Sequence, residues 1–211
     1  MRSRKRSRPL SREDSTYRDD RLFIIATEDT YAGQYFDRLE TPRIKIKVLP
    51  TTEGRSAPRH VLDRLNDFKD EFDTIDDDQF WLMLDTDHWV EPSHVANFRQ
   101  VCQEAKQRGY KLAHSNPCFE VWILLHFEEL EDTQFSNCKK VLERLQKFNY
   151  EKSKIKDLDI DIGKIDAALE RTRALEPRHD ESSRRGDWPQ RTGTHVYLLV
   201  QEILPEQNRE F

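Results

Sequence analysis

Two aspartates follow an apolar run in the segment FWLMLDTDHW, residues 80 to 89. Such a run predicts a buried strand, and this one ends in the carboxylates of Asp85 and Asp87. A second run, RLFIIATE at residues 21 to 28, ends in Glu28. Ligands of open α/β sheets bind beyond the carboxyl ends of the strands, so these three carboxylates meet if the two strands are neighbours. Three adjacent anions require protons or a cation, and the hard ion Mg²⁺, or Mn²⁺, prefers oxygen ligands.

The D-x-D pattern by itself is not specific for a metal site. An aspartate at a strand end is often a turn residue or a helix cap. The same pattern also occurs in nucleotide-sugar transferases and in phosphohydrolases with an aspartate nucleophile. Metal binding, a purely structural role and the handling of a small nucleotide diphosphate therefore all remain open on this motif alone.

A third patch of polar residues lies in the segment SNPCFEVWILLHF, residues 115 to 127. We expect Asn116 to cap a buried helix, Pro117 to occupy its first turn, and Asn116 and Glu120 to share one side near its N-terminus. Backbone N–H groups there could receive a phosphate. Buried polar side chains need partners or a function, and for Glu120 a structural role and a functional role both stay open. For His126 we favour a hydrogen-bonded core histidine that supports the structure.

The elements that must position these residues alternate between strands and helices across residues 21 to 127. This order predicts an α/β fold with an open, mainly parallel four-stranded sheet and helices on both faces. The alternating segment RIKIKVLP, from Arg43, predicts a half-exposed edge strand. Beyond residue 130 we find helical stripes and no strand. We therefore divide the chain into a basic arm (1–20), an α/β core (21–130) and a C-terminal helical region packed on the core (131–211).

Charge and composition limit the classes of partner. The formal net charge is -5, so any contact with nucleic acid must be local. Basic residues cluster in the N-terminal arm, which we interpret as a mobile segment that either solubilises the protein or contacts phosphates or a partner. A polar loop at residues 176–193 adds further arginines. The candidate nucleic-acid contacts are Arg4, Lys5, Arg6, Arg178, Arg184, Arg185 and Arg191.

Cysteine usage and hydropathy indicate the compartment. The 3 cysteines contain no C-x-x-C pair, and we expect reduced thiols in a cytoplasmic protein. No apolar run approaches the roughly 20 residues of a membrane span, so we expect no membrane partner.

Together these segments resemble a known family. The segments IIATEDTYAGQYF, WLMLDTDHW, LAHSNPCFEVWILLHFEE and PQRTGTHVYLLV are similar to those of RloB-like proteins, whose core resembles a TOPRIM domain. The most specific part is the run from Ser115 to Glu120 with Trp122 and His126. The resemblance implies a TOPRIM-like fold in which Glu28 is a general acid or base or a metal ligand, and in which Asp85 and Asp87 bind Mg²⁺.

The resemblance also implies a function. RloB-like proteins are associated with restriction loci and abortive infection, commonly beside an ABC/AAA-type ATPase. We therefore expect a metal-dependent nuclease that cleaves DNA or RNA, including transfer RNA, with Glu28, Asp85, Asp87 and Glu120 as its catalytic residues. The family pattern has a second glutamate where this chain has Ala32. This departure favours the alternative hypothesis, a non-catalytic regulatory module that binds nucleic acid or the ATPase. A homodimer through the C-terminal helices is also compatible with the sequence.

Overall fold

The computed structural model describes residues 5–7, 21–51, 53–131, 134–175 and 188–205. Its strands are β1 (Arg21–Thr27), β2 (Ile44–Leu49), β3 (Gln79–Asp85), β4 (Lys111–Asn116) and β5 (Gly193–Thr194). Its α-helices are α1 (Gly33–Phe36), α2 (Pro58–Glu71), α3 (Val95–Gln107), α4 (Glu120–Leu125), α5 (Cys138–Leu145), α6 (Ile162–Leu175) and α7 (Val196–Ile203). Short 3₁₀ turns follow α1, β3 and α5, and a further one spans Lys152–Asp157.

The strands form one open sheet in the order β2-β1-β3-β4-β5. The strands β1 to β4 run parallel, with β2 at one edge, which confirms the predicted α/β sheet and its edge strand. At the other edge, the 2-residue strand β5 pairs antiparallel with the end of β4. The expectation of no strand beyond residue 130 was therefore wrong. A strand of this length carries no hydrophobic periodicity by which it could be predicted.

Helices cover both faces of the sheet, as predicted. Alternate residues of β1 point to opposite faces, so Phe23 and Ile25 join one core cluster while Leu22 and Ile24 join the other. The first cluster contains residues of α1 and of α4 to α7, and the second contains the apolar stripes of α2 and α3. Residues before and after position 130 thus share the first core. In the described part of the chain, no helix is long and apolar enough to cross a membrane.

The connection from β4 to α4 differs from the sequence prediction. Asn116 is the last residue of β4, the Asn116–Pro117 peptide is cis, and the helix begins at Glu120. Asn116 therefore does not cap α4. Its side-chain amide instead donates to the carbonyl oxygen of Pro189 at 2.8 Å, which ties the end of β4 to the segment that precedes β5.

His126 is the hydrogen-bonded core histidine that we expected. It is 2 % exposed and follows α4 directly. Its Nδ1 lies 2.9 Å from the carbonyl oxygen of Trp122, which can only accept, so Nδ1 carries the proton. Its Nε2 then accepts from the hydroxyl of Tyr35 at 3.1 Å. Burial lowers the pKa of His126 from 6.5 to about 4, so the ring is neutral at physiological pH.

This histidine should make folding sensitive to acid. Because the pKa of His126 is lower in the folded chain, its contribution to stability is complete above pH 6.5 and is lost as the pH falls towards about 4. The loss approaches about 1.4 kcal/mol for each pH unit in that window. We expect His126→Gln to lose this dependence in urea unfolding curves recorded between pH 4 and 7, whereas the exposed His60→Gln keeps it. Parallel pH profiles for the wild type and His126→Gln would contradict the assignment.

Candidate active site

The adjacency of β1 and β3 brings Glu28 next to Asp85. The two strands pair in parallel, with Thr27 opposite Met83, so the residues that follow lie side by side at the carboxyl edge. The backbone N–H of Asp85 donates to Oε1 of Glu28 at 3.2 Å. The condition on which the predicted carboxylate cluster depended, that the first and third strands are neighbours, is therefore met.

Glu28 is partly buried between β1 and the turn that follows it. Its Oε2 accepts from the indole N–H of Trp89 at 3.0 Å. Trp89 belongs to the D-x-D segment, and the sequence did not indicate this role. Burial raises the pKa of Glu28 to about 8, with a smaller contribution from the charge of Asp87. The hydrogen bonds from Trp89 and Asp85 and the charge of Arg64 oppose this shift without cancelling it.

Asp85 connects the D-x-D segment to the start of α4. Its Oδ1 accepts from the backbone N–H of Phe119 at 2.8 Å. This N–H group near the start of α4 is therefore hydrogen-bonded to a carboxylate of the protein and is not available to the phosphate that the sequence suggested. Burial raises the pKa of Asp85 well above its usual range, and the negative charges of Glu28 and Glu120 raise it further. In both Glu28 and Asp85, hydrogen bonds compensate only part of the lost hydration.

Asp87 differs from the other two carboxylates because it is half-exposed. Its side chain is 51 % exposed and lies 3.7 Å from Nδ1 of His88. Its backbone N–H donates to the carbonyl oxygen of Pro117 at 3.1 Å, and its φ of 21° is a value that residues with side chains rarely adopt. These constraints fix the turn after β3 against the Ser115–Pro117 segment.

A second pair of carboxylates, Asp29 and Glu120, lies beside the first. Oδ1 of Asp29 accepts from the backbone N–H groups of Tyr31 and Ala32, while its Oδ2 lies 2.6 Å from Nζ of Lys152. The same Nζ lies 3.2 Å from Oε1 of Glu120, which also accepts from the hydroxyl of Tyr150 at 3.2 Å. Lys152 and Tyr150 were missed because they lie in a polar stretch without a recognisable motif.

The surroundings of Glu120 include a disulfide. Cys118 and Cys138 are bonded to each other, so the expectation of reduced thiols was wrong for these two residues. A spacing of 20 residues gives no local signal for this pairing, which arises because α5 packs against α4. Oε2 of Glu120 lies 3.6 Å from Sγ of Cys138. Cys118, Glu120 and Cys138 also offer ligand atoms within 4.8 Å of one another, although the disulfide withholds both thiolates from a metal.

Of the candidate nucleic-acid contacts that the structure describes, Lys5 and Arg6 lie away from this site. Arg6 forms a β-bridge with Phe72 and an ion pair with Glu71, and Nζ of Lys5 donates to the carbonyl oxygen of Lys69. The end of α2 leads into the start of β3, so both residues lie at the edge of the sheet opposite to Glu28. Arg191 is exposed in the segment just before β5, and the remaining candidates, Arg4, Arg178, Arg184 and Arg185, lie outside the described residues.

The donor chemistry of Glu28, Asp85 and Asp87 fits a hard divalent cation. All three offer carboxylate oxygens, and burial raises the pKa of Glu28 and of Asp85, so that their ionised forms are disfavoured unless a cation compensates them. Among the described residues the three do not form a set with all ligand atoms within 4.8 Å. An ion such as Mg²⁺ or Mn²⁺ would therefore retain water ligands beside one or two of these carboxylates.

An open parallel sheet with helices on both faces and carboxylates at its carboxyl edge is consistent with the TOPRIM-like class of α/β folds. Within that class, residues 23–203 match the model of the RloB-like protein family. Because the match covers more than half of the chain, the protein belongs to this family. No curated protein and no solved structure matches the chain significantly.

The raised pKa of Glu28 predicts an alkaline loss of stability in the metal-free protein. A carboxyl group whose pKa is raised by folding stabilises the fold fully below pH 4.5, and this contribution is lost as the pH rises to about 8. The slope approaches about 1.4 kcal/mol for each pH unit. In EDTA, we expect the difference in unfolding free energy between Glu28→Gln and the wild type to shift in favour of the variant from pH 5 to 8. A difference independent of pH would contradict the assignment, and Glu40→Gln, at an exposed site, is the control.

The disulfide predicts the number of thiols. In protein purified without reductant and then denatured, we expect Ellman's reagent to detect one thiol per chain, that of Cys102. After reduction, all 3 cysteines should react. Three reactive thiols before reduction would show that Cys118 and Cys138 are not bonded in solution.

Proposed function

We propose that this protein is a metal-dependent nuclease that hydrolyses phosphodiester bonds in DNA or RNA. The observation that carries the proposal is the hydrogen-bonded adjacency of Glu28 and Asp85 at the ends of β1 and β3. Two adjacent, poorly hydrated carboxylates destabilise a fold, and a bound cation would compensate their charge. A site of this kind is suited to binding a catalytic ion. Membership of the RloB-like family supports the same activity.

The residues have distinct roles in this proposal. Asp85 and Asp87 would hold Mg²⁺ or Mn²⁺ together with water ligands, and the ion when bound would polarise the phosphate and promote attack by water. Glu28, beside Asp85 at the carboxyl edge, would act either as a further ligand of the ion or as the general acid or base that exchanges a proton with the attacking water or the leaving oxygen. Glu120 is 1 % exposed and contacts Lys152 and Tyr150, so it acts as a positioning residue instead of contacting substrate.

Membership of the family also supports a proposal for the wider biological role. We propose an effector of antiphage abortive infection that acts in the cytoplasm with an ABC/AAA-type ATPase as its partner, in line with the family resemblance. Contacts to the nucleic-acid backbone are assigned to the basic residues of the N-terminal arm and of the 176–193 loop. Both Lys5 and Arg6 expose much of their surface, which leaves them accessible to a polyanion that wraps around the molecule.

A non-catalytic regulatory module is the second candidate. It is favoured by Ala32 at the position of the second family glutamate, and by Lys152, whose ammonium group pairs with both Asp29 and Glu120. Such a module would bind nucleic acid or the ATPase without cleaving a phosphodiester bond. A stable complex with the ATPase, together with no cleavage in Mg²⁺ or Mn²⁺, would favour it over the nuclease.

Replacing both aspartates of the D-x-D motif should abolish metal-dependent behaviour. We expect the Asp85→Asn/Asp87→Asn variant to lose cleavage of labelled RNA and DNA by at least about 100-fold, because losing even an outer-shell partner of a metal costs about 10- to 100-fold. Wild-type protein at an ion concentration of 100 Kd should gain about 2.7 kcal/mol of stability, which the variant should lose.

The matched control is Asp76→Asn/Asp77→Asn, which removes two exposed aspartates from the turn before β3 at the opposite edge of the sheet. It should retain both cleavage and the metal-induced shift. Since removal of like charges can itself stabilise the protein, the shift on adding Mg²⁺ or Mn²⁺ must be compared within each variant. Unchanged cleavage by Asp85→Asn/Asp87→Asn would refute the proposed nuclease site.

A further inference from the structure

The carboxylates at the carboxyl edge fall into two groups whose negative charge is compensated by different kinds of group. Glu28 and Asp85 receive hydrogen bonds from N–H groups, and the pKa of each remains raised. Asp29 and Glu120 share the ammonium group of Lys152. One half of the site thus contains a cation that belongs to the chain, whereas Glu28 and Asp85 form no ion pair with any residue that the structure describes.

Lys152 is held firmly in this position. Its Nζ lies 2.6 Å from Oδ2 of Asp29 and 3.2 Å from Oε1 of Glu120, while 48 % of its side chain remains exposed. Burial lowers the pKa of Lys152, but the charges of Glu120 and Asp29 outweigh this and raise it overall, so the ammonium group stays protonated. The charge of Lys152 also reaches Asp85, whose pKa it lowers.

Two of the carboxylate oxygens around Lys152 already accept two hydrogen bonds each. Oδ1 of Asp29 already accepts from two backbone N–H groups, and Oε1 of Glu120 accepts from Tyr150 as well as from Lys152. A divalent ion between Asp29 and Glu120 would have to displace the ammonium group or tolerate its repulsion at close range.

We infer that the ammonium group of Lys152 takes the place of a second divalent ion, so that the site accepts a single exchangeable ion beside Glu28, Asp85 and Asp87. This inference rests on the proposed function for the presence of that ion. It assigns Lys152 as a positioning residue that fixes Asp29 and Glu120, and it accounts for a site that lacks the second family glutamate.

The number of bound ions tests the inference without any measurement of cleavage. We would titrate the full chain with Mn²⁺ and count bound ions from the electron paramagnetic resonance signal of the free ion. We expect one ion in the wild type and in Lys152→Arg, which keeps the positive charge. Lys152→Met should bind a second ion, because it leaves Asp29 and Glu120 without their cation. Lys154→Met is the matched control, because Lys154 lies two positions after Lys152 and pairs with Glu151. This variant should bind one ion.

A further variant locates the second ion and guards against misfolding. Adding Glu120→Gln to Lys152→Met should return the count to one, because one of the two carboxylates is then neutral. If Lys152→Met folds only with divalent ions, it can be purified in Mn²⁺ and its bound ions counted after gel filtration. Melting curves should then show a larger stabilisation by Mn²⁺ in Lys152→Met than in the wild type.

The contrary outcomes are distinct. Two ions in the wild type would overturn the inference while leaving the proposed nuclease intact. A wild type that binds none would overturn both the inference and the metal-dependent function. A single ion in both the wild type and Lys152→Met would show that Lys152 is not a substitute for an ion, again without affecting the nuclease proposal.

Discussion

The placement of anionic side chains at the ends of adjacent parallel strands is the constraint around which this site is organised. Because β3 lies next to β1 in the sheet, Glu28 and Asp85 must share one edge and one poorly hydrated environment. Carboxylates removed from water are costly unless hydrogen bonds, protons or cations compensate them. The turn carrying Trp89 and the loop carrying Phe119 each contribute an N–H donor to this edge.

The compensation is unequal, and the inequality has chemical consequences. N–H donors favour the ionised form of a carboxylate but add no net charge, whereas an ammonium group cancels one negative charge. Glu28 and Asp85 therefore retain raised pKa values, while Asp29 and Glu120 form an internal ion pair network with Lys152. A site divided in this way has one half suited to an exchangeable ion or proton and another half whose arrangement is fixed.

The features that the sequence predicted correctly depend on local pattern. Apolar runs ending in Glu28 and Asp85 identify the strands, and helical stripes such as Val61 to Phe68 identify the helices that cover them. The features that were missed depend on contacts between distant segments. The disulfide, the pairing of β5 with β4 and the ion pairs of Lys152 each join residues that no periodicity relates. The start of α4 was misplaced because Asn116 and Pro117 suit a helix start locally, while pairing with β3 and β5 extends β4 through this position.

The segment from Ser115 to Glu120 connects the two halves of the site. Its backbone carbonyls accept from Thr86 and Asp87, and the N–H of Phe119 donates to Asp85, so it determines the shape of the D-x-D turn. The next residue, Glu120, faces Lys152 and Tyr150 instead. The consecutive residues Phe119 and Glu120 thus contact the two halves of the site. The charges of Glu120 and Lys152 also act on Asp85, raising and lowering its pKa respectively. A change in the charge around Lys152 must therefore alter the affinity of Asp85 for a proton or a cation, which makes the two halves one electrostatic unit.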